Sequence, residues 1–247
     1  MEYEGTNYHG FQYQENAPSI QEQIEKSIKA LTGETLRVKA AGRTDTGVHA
    51  LGQVVAFDTE SDHPPETFLK AMNSRLPDDI AVRAAYRAGP TFDPRRHAMS
   101  RRYRFTLVNS DVRSPVRRLT TCQVRDKLDT MLMTRGAKML EGIHDFARFA
   151  GPLERQGAST VREVFSSRIE EREDEIIFEV EGSAFLPHQV RRMAGALVDL
   201  GRGVLSIEQL KQMIEGDDIG VASRSLPPQG LCLVEVKYAD FPPKVGE

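Results

Sequence analysis

Residues 161–182 read VREVFSSRIEEREDEIIFEVEG, and this stretch indicates most directly how the chain folds. Two strand-like arms flank the charged tripeptide Arg172-Glu173-Asp174. The stretch therefore predicts a hairpin that pairs residues 161–171 with residues 175–182. Because hairpin strands are antiparallel, the sheet to which they belong contains antiparallel pairing.

Helix and strand patterns alternate irregularly on both sides of this hairpin. A helix over 19–32 is the clearest, since Ser19 and Glu22 form a capping-box pattern and Gly33 supplies a stop. Further helices are predicted over 66–75, 126–141, 188–201 and 206–215, and further strands over 35–40, 53–58, 80–87, 101–108 and 231–238. This order lacks the regular strand–helix alternation of a parallel sheet, so the predicted class is α+β with a largely antiparallel sheet. Arg113-Ser114-Pro115 marks the expected boundary between an N-terminal half, 1–112, and a C-terminal half, 113–247.

The composition is that of an ordinary globular protein, with 39% hydrophobic and 28% charged residues. The two cysteines, Cys122 and Cys232, lie far apart, which excludes a disulfide framework and a cysteine-based zinc site. The sequence shows no signal peptide and no apolar run long enough to span a bilayer, so we expect a cytoplasmic protein. A net charge of −3 argues weakly against a nucleic-acid partner, although the arginines are unevenly distributed.

The segment 42–52, here called the glycine loop, reads GRTDTGVHALG and lies between two predicted strands. Catalytic groups concentrate in loops that a scaffold holds in place, and Asp45 is the loop's single carboxylate. From spacing alone, a turn-capping role for Asp45 is the stronger interpretation, since Asp-x-Gly is common in turns. Arg43 is either a solvated loop arginine or a group that contacts RNA. His49 is expected to be a structural hydrogen-bonding residue and not a proton-transfer group.

Six blocks in chain order resemble the motifs of the TruA family of tRNA pseudouridine synthases. They are Tyr3-Glu4-Gly5 to Gln12, Gly42 to Ala50, Phe92 to Phe105, His144-Asp145-Phe146, Phe185 to Gly195, and Gly230-Leu231. A single nonamer occurs by chance far more easily than six ordered blocks over nearly the whole chain. Two departures stand out: Glu4 replaces the usual Asp, and Met1 falls almost upon the first block, so we expect a short first strand.

The resemblance implies the pseudouridine synthase fold, with two similar halves that share a mixed sheet and a central RNA-binding cleft. It implies an isomerase that converts uridine to pseudouridine at positions 38, 39 and 40 of the tRNA anticodon stem-loop. The C1′–N1 bond breaks, the uracil turns, and it is rejoined through C5. Asp45 corresponds to the essential carboxylate, which either attacks C1′ or removes a ribose proton. No cofactor and no metal are implied, and the partners are tRNA and a second subunit in a homodimer.

The resemblance also implies four substrate-binding residues. Arg191 corresponds to an arginine that pairs with the catalytic carboxylate, and Tyr103 to a tyrosine that stacks on the target base. Leu231 corresponds to an apolar wall against uracil, and we nominate Arg43 to occupy the space that the flipped base vacates. On spacing alone these residues would be a helix-surface charge, a strand tyrosine, a strand leucine and a loop charge.

Dense arginines accompany Tyr103 on the predicted strand 101–108. Strand alternation predicts that Arg102 and Arg104 face away from Arg101, Tyr103 and Phe105, so part of the cluster lies beside an aromatic ring, as RNA recognition requires.

The residues also leave two other functions open. An aspartyl phosphoryl-transfer enzyme would need Mg²⁺ and further carboxylates near Asp45, and the loop offers none. A non-catalytic RNA-binding protein would not need Asp45, Tyr103 and Arg191 together.

Overall fold

The computed structural model describes residues 1–153, 157–216 and 223–241. The chain forms two compact units, the first made of residues 1–99 and 233–247 and the second of residues 100–232. The strands are β1 (Glu2–Tyr3), β2 (Lys39–Ala40), β3 (His49–Ala50), β4 (Val55–Ala56), β5 (Ile80–Ala81), β6 (Ser100–Asn109), β7 (Cys122–Val124), β8 (Gly142–Asp145), β9 (Val161–Arg172), β10 (Glu175–Gly182) and β11 (Leu231–Lys237). The helices are α1 (Ile20–Thr32), α2 (Pro65–Asn73), α3 (Thr130–Met139), α4 (Gln189–Gly201) and α5 (Ile207–Glu215).

The predicted α+β class with mostly antiparallel pairing is confirmed. In the first unit, β1 pairs antiparallel with β3 on one side and with β5 on the other, and β2 pairs antiparallel with β4. In the second unit, β10 lies between β6 and β9, and β8 pairs with β9, all antiparallel. The exception is β7, which pairs parallel to the end of β6. The predicted boundary at residues 112–113 falls in the loop after β6, inside the second unit, and it stays a prediction.

The second unit follows the sequence closely. The hairpin is confirmed, with its turn at Glu173 and Asp174 between β9 and β10. A bulge in β9 shifts the register between Glu181 and Gly182 of β10. The helices α3 and α4 pack against each other, and α3 also packs on β9. This packing is close at Gly136, where an added Cβ would lie 2.4 Å from Leu200.

One helix of this unit is shorter than predicted. The pattern over 126–141 yields α3 only from Thr130, because the Asp129 side chain caps the helix by accepting from the Leu132 N–H at 2.9 Å. Before it, Asn109 donates to the Asp126 carbonyl at 2.7 Å and holds the chain as a loop. The strands β7 and β8 were not predicted.

The first unit departs further from the sequence pattern, because each strand within residues 1–99 is only two residues long. The predicted strand 35–40 shrinks to β2, since the Glu25 carboxylate of α1 takes the Val38 N–H at 3.1 Å in place of a strand partner. The predicted strand 80–87 shrinks to β5, because Asn73 both accepts from the Val82 N–H and donates to its carbonyl. The strand 53–58 is reduced to β4, and β1 and β3 were not predicted.

The helix α1 of the first unit is confirmed, and it shows the local features from which it was predicted. Ser19 accepts from the Glu22 N–H at 3.3 Å, and Gly33 ends the helix with φ 79°. The buried face is made by Ile20, Ile24 and Ile28. Among the described residues, no helix is long and apolar enough to cross a membrane.

Candidate active site

Asp45 lies at the start of a tight turn in the glycine loop. The Val48 N–H donates to the Asp45 carbonyl at 3.1 Å, and Gly47 has φ 75°. A positive φ at the third residue is characteristic of a type II turn, which explains the glycine. The Asp45 side chain is half-buried, whereas Arg43 is exposed. The Asp-x-Gly spacing predicted a turn at Asp45, and the turn is present. It fixes the position of the Asp45 backbone.

Residues 3–11, here called the N-terminal segment, hold the glycine loop on both sides of Asp45. Before it, the Phe11 N–H donates to the Thr44 carbonyl at 3.0 Å. After it, the Gly47 N–H donates to the Tyr8 carbonyl at 3.2 Å. Because the Thr44–Asp45 and Thr46–Gly47 peptides are both hydrogen-bonded to this segment, the loop cannot move without breaking these contacts.

Two glycines allow the segment and the loop to approach this closely. A Cβ on Gly5 would lie 2.1 Å from the Val48 carbonyl oxygen. A Cβ on Gly10 would lie 2.7 Å from the Thr44 oxygen, and Gly10 also has φ 87°. Backbone cannot yield as a flexible side chain can, so glycine is required at both positions.

Buried side chains add further ties between the same two segments. The hydroxyls of Tyr3 and Thr44 are 2.8 Å apart, and Gln53 donates to the Gly42 carbonyl at 2.8 Å. The Gly5 N–H donates to His49 Nδ1 at 2.9 Å. An accepting Nδ1 assigns the proton of the neutral ring to Nε2. His49 is thus the structural hydrogen-bonding residue that the sequence predicted.

Tyr8 is anchored from the opposite side by Asp79. Its hydroxyl donates to Asp79 Oδ1 at 2.5 Å. Burial, together with this hydrogen bond and the charge of Asp79, raises the pKa of the Tyr8 hydroxyl well above its ordinary value. Tyr8 therefore stays protonated and keeps its hydrogen bond, and its carbonyl is held against Gly47. Sequence reasoning assigned no role to Tyr8 or Asp79, although Tyr8 lies in a block that carried the resemblance.

The second unit contains Tyr103, on β6. Its ring is buried and meets the Phe185 ring edge-on, with centroids 5.3 Å apart. Arg101 lies on the same buried face and donates to the Ser183 carbonyl at 2.7 Å. Arg102 and Arg104 lie on the opposite, partly exposed face, so the predicted alternation is confirmed.

Arg191 and Leu231 are also in the second unit. Arg191 lies in the first turn of α4, and its Nε donates to the Leu226 carbonyl at 2.8 Å. The Leu226 N–H in turn donates to the Arg191 carbonyl at 3.3 Å. Leu231 is buried at the start of β11, directly after Gly230, which packs on the Phe105 ring of β6. The structure thus places Asp45 and Arg43 in one unit and Tyr103, Arg191 and Leu231 in the other.

A cavity of about 540 Å³ in the second unit is lined by none of the predicted site residues, although Leu226, the partner of Arg191, is part of its lining. It lies among β7, the second half of α4 and residues 224–227. Its floor includes Cys122 and Val198, and burial raises the pKa of the Cys122 thiol to about 11. Its lining includes three arginines and two aspartates, and Arg202 is paired with Asp126.

No cluster of His, Cys, Asp or Glu that could hold a metal ion occurs in residues 1–153, 157–216 or 223–241. The His144–Asp145 pair has local structural contacts, as expected. His144 Nε2 lies 2.8 Å from the Glu141 carbonyl oxygen, and Asp145 accepts from the Ala147 N–H at 2.9 Å.

Comparison with known proteins identifies the family to which this chain belongs. The profile of the tRNA pseudouridine synthase family matches residues 1–95 and 137–239. The chain therefore belongs to the tRNA pseudouridine synthase family.

Similar proteins extend this match over nearly the full length. The chain is 41% identical over 238 residues to tRNA pseudouridine synthase A of Geotalea daltonii, which covers 96% of this chain and 97% of that protein. It is 42% identical over 244 residues to tRNA pseudouridine synthase A of Myxococcus xanthus, covering 98% and 92%. With tRNA pseudouridine synthase A of Geobacter sulfurreducens, the identity is 43% over 240 residues, covering 96% and 97%.

Proposed function

We propose that this chain isomerises uridine to pseudouridine at positions 38, 39 and 40 of the tRNA anticodon stem-loop. The observation that carries the proposal is Asp45, set on a turn that is hydrogen-bonded to the N-terminal segment through the Thr44 carbonyl and the Gly47 N–H. A group that reacts at one ribose carbon must be held to within a fraction of an ångström, and this double attachment supplies that rigidity. The family membership and the full-length similarity to proteins named tRNA pseudouridine synthase A support the same conclusion.

In the proposed reaction, Asp45 acts at the ribose of the target uridine. The C1′–N1 bond breaks, the uracil turns, and a C1′–C5 bond forms. C5 then loses its proton while N1 gains one, so product and substrate are isomers and no external reactant is consumed. Whether Asp45 attacks C1′ or removes a ribose proton, the carboxylate must be ionised when it acts.

Four further residues are proposed to bind the substrate. Tyr103 stacks on the target base, since its buried ring is already fixed by Phe185. Arg191 is oriented by the Leu226 carbonyl and contributes a cation, while Leu231 offers an apolar surface to uracil. Arg43 is exposed next to the Asp45 turn, and we propose that it occupies the space of the extracted base. The pairing of Arg191 with Asp45 stays a prediction.

We also propose that the enzyme acts in the cytoplasm as a homodimer. The resemblance to the family supports this proposal. Light scattering during gel filtration measures the mass of the particle directly, and twice the chain mass is expected. A mass of one chain at working concentrations would contradict the dimer and leave the activity unaffected.

The test of substrate choice is position-mapped pseudouridine formation in unmodified tRNA transcripts. Matched transcripts carry cytidine in place of uridine at position 38, 39 or 40. We expect modification only where uridine occupies one of these three positions. Modification elsewhere in the tRNA would contradict the positions. Binding without any conversion by folded protein would favour the non-catalytic RNA-binding alternative.

A further inference from the structure

Exposed cations line the chain that leads into the glycine loop. Arg37 and Lys39 are both exposed, with 62% and 60% of their side chains accessible. They lie on either side of the buried Val38, so both are on the exposed side of this stretch. Four residues further along is Arg43, which is also exposed. Exposed cations therefore precede the turn that carries Asp45 along the chain.

Two more exposed arginines lie in another segment of the same unit. Arg95 and Arg96 are exposed, and their backbone N–H groups each donate to Asp93 Oδ1 at 2.9 Å. The pKa of the Asp93 carboxyl lies below its ordinary value, first because of the Arg96 N–H and further because of the charges of Arg96 and Lys39. A single carboxylate thus lies within electrostatic reach of cations from both segments. We call Arg37, Lys39, Arg95 and Arg96 the cationic strip.

The carboxylates near the strip have internal partners. Glu25 accepts from the Val38 N–H at 3.1 Å and from Gln21 at 2.7 Å, in addition to its contact with Arg37. Asp58 lies 3.7 Å from Lys39 but is 90% exposed, and an ion pair of this kind contributes little. Despite these ion pairs, the side chains of Arg37 and Lys39 stay 62% and 60% exposed, so a polyanion can reach both.

One end of the strip also offers a flat surface. The Arg37 guanidinium lies 4.0 Å from the centre of the Tyr13 ring. Unpaired bases in RNA stack on aromatic rings and on arginine planes of this kind. An acidic protein would use the charges but not the stacked plane, so the combination favours RNA.

We propose that the cationic strip binds the phosphate backbone of the tRNA next to the target uridine, with Arg37 and Tyr13 as a stacking platform for an unpaired base. This inference rests on the proposed function, because it assumes that the tRNA bound at Asp45 extends along β2. The strip compensates locally for the net charge of −3, which argued weakly against a nucleic-acid partner.

The test is the salt dependence of tRNA binding to the full-length protein. Affinity falls as salt rises, and each lost phosphate contact makes the slope of log affinity against log salt less steep by about 0.9. Lys39→Ala and Arg96→Ala should therefore bind several-fold more weakly at low salt. Between 50 and 200 mM salt, each should lose about 3.5-fold less affinity than the parent does. Arg75→Ala is the matched control, because Arg75 is exposed on the same unit just beyond α2, and it should behave as the parent.

A second pair of variants separates charge from stacking. Arg37→Lys keeps the charge and should keep the parental salt slope, but it should weaken binding of RNA with an unpaired loop by several-fold. Arg37→Ala should lower both the slope and the affinity. Circular dichroism checks that each variant is folded, and Lys39→Gln replaces Lys39→Ala if that variant is not.

The inference would be overturned if Lys39→Ala and Arg96→Ala had the same salt slopes and affinities as Arg75→Ala. This holds whether or not the parent forms pseudouridine. Pseudouridine formation by the parent is measured separately. Shallower slopes in these variants, together with a parent that binds tRNA but forms no pseudouridine, would uphold the strip and reject the proposed function.

Discussion

The glycine loop and the β6–β10–β9 ladder are held in place by different means. In the ladder, strands of eight to twelve residues satisfy one another's backbone groups along their length. In the first unit, side chains do much of this work, as Glu25, Asn73 and His49 take backbone N–H groups that a strand would otherwise take. A ladder tolerates changes of most single side chains, whereas a loop held by side chains and glycine contacts does not. The region proposed for chemistry is therefore the more sensitive to substitution.

The largest expected effect is at Gly5. Gly5→Ala places a methyl group 2.1 Å from the Val48 carbonyl oxygen, so the N-terminal segment and the glycine loop must separate. We expect a loss of about 3 kcal/mol or more in the free energy of unfolding, measured by denaturant titration. Gly89→Ala is the control, because an added Cβ there meets no atom within 4 Å. Parental stability of Gly5→Ala would show that the contact is not rigid.

The next effect concerns the position of Asp45 more than overall stability. His49→Leu removes the acceptor for the Gly5 N–H and should slow the single-turnover rate by about 10- to 100-fold, with tRNA affinity nearly unchanged. His49→Asn places Oδ1 where Nδ1 was and should restore most of the rate. Equal rates for the two variants would mean that this hydrogen bond does not position the loop.

These two regions also differ in how well the sequence revealed them. The hairpin 161–182, the alternation along β6 and the helices α1, α4 and α5 depend on local patterns, and all were predicted. The short β2 and β5 were predicted too long, because Glu25 and Asn73 replace their strand partners, and no local pattern shows this. The candidate site residues came from the resemblance. Their supports did not, since Tyr8 and its anchor Asp79 are brought together only by folding.

Within the ladder, the expected weak point is Glu179. It is 5% exposed and accepts hydrogen bonds from Arg104 and Arg168. Burial alone would raise the pKa of its carboxyl, but the two arginines outweigh burial and hold the pKa below its ordinary value. The stabilisation is therefore present above the unfolded-state pKa of about 4.3 and is lost as pH falls through the lower folded-state value.

Glu179→Gln should cost about 1–2 kcal/mol at neutral pH, since both arginines are partly exposed and screened. Below about pH 4.3, its unfolding free energy should fall less steeply with pH than that of the parent. Denaturant titrations at several acidic pH values measure both. Identical pH dependence in the two proteins would remove Glu179 from the account of acid stability.

The smallest effects are expected at the helix N-caps, which occur in both units. Ser19 caps α1 in the first unit, and Ser206 caps α5 in the second through a complete capping box with Gln209. Ser19→Ala and Ser206→Ala should each cost about 1 kcal/mol, measured by thermal unfolding. A much larger loss for Ser19→Ala would indicate that α1 also supports the N-terminal segment through its cap.

The most direct test of the central claim is single-turnover conversion of an unmodified tRNA transcript by the parent and by Asp45→Asn at saturating protein. The account predicts pseudouridine with the parent and none above background with Asp45→Asn, while tRNA affinity and the unfolding midpoint stay near the parental values. Conversion at a parental rate by Asp45→Asn would contradict the role of this carboxylate and, with it, the reason proposed here for clamping the glycine loop.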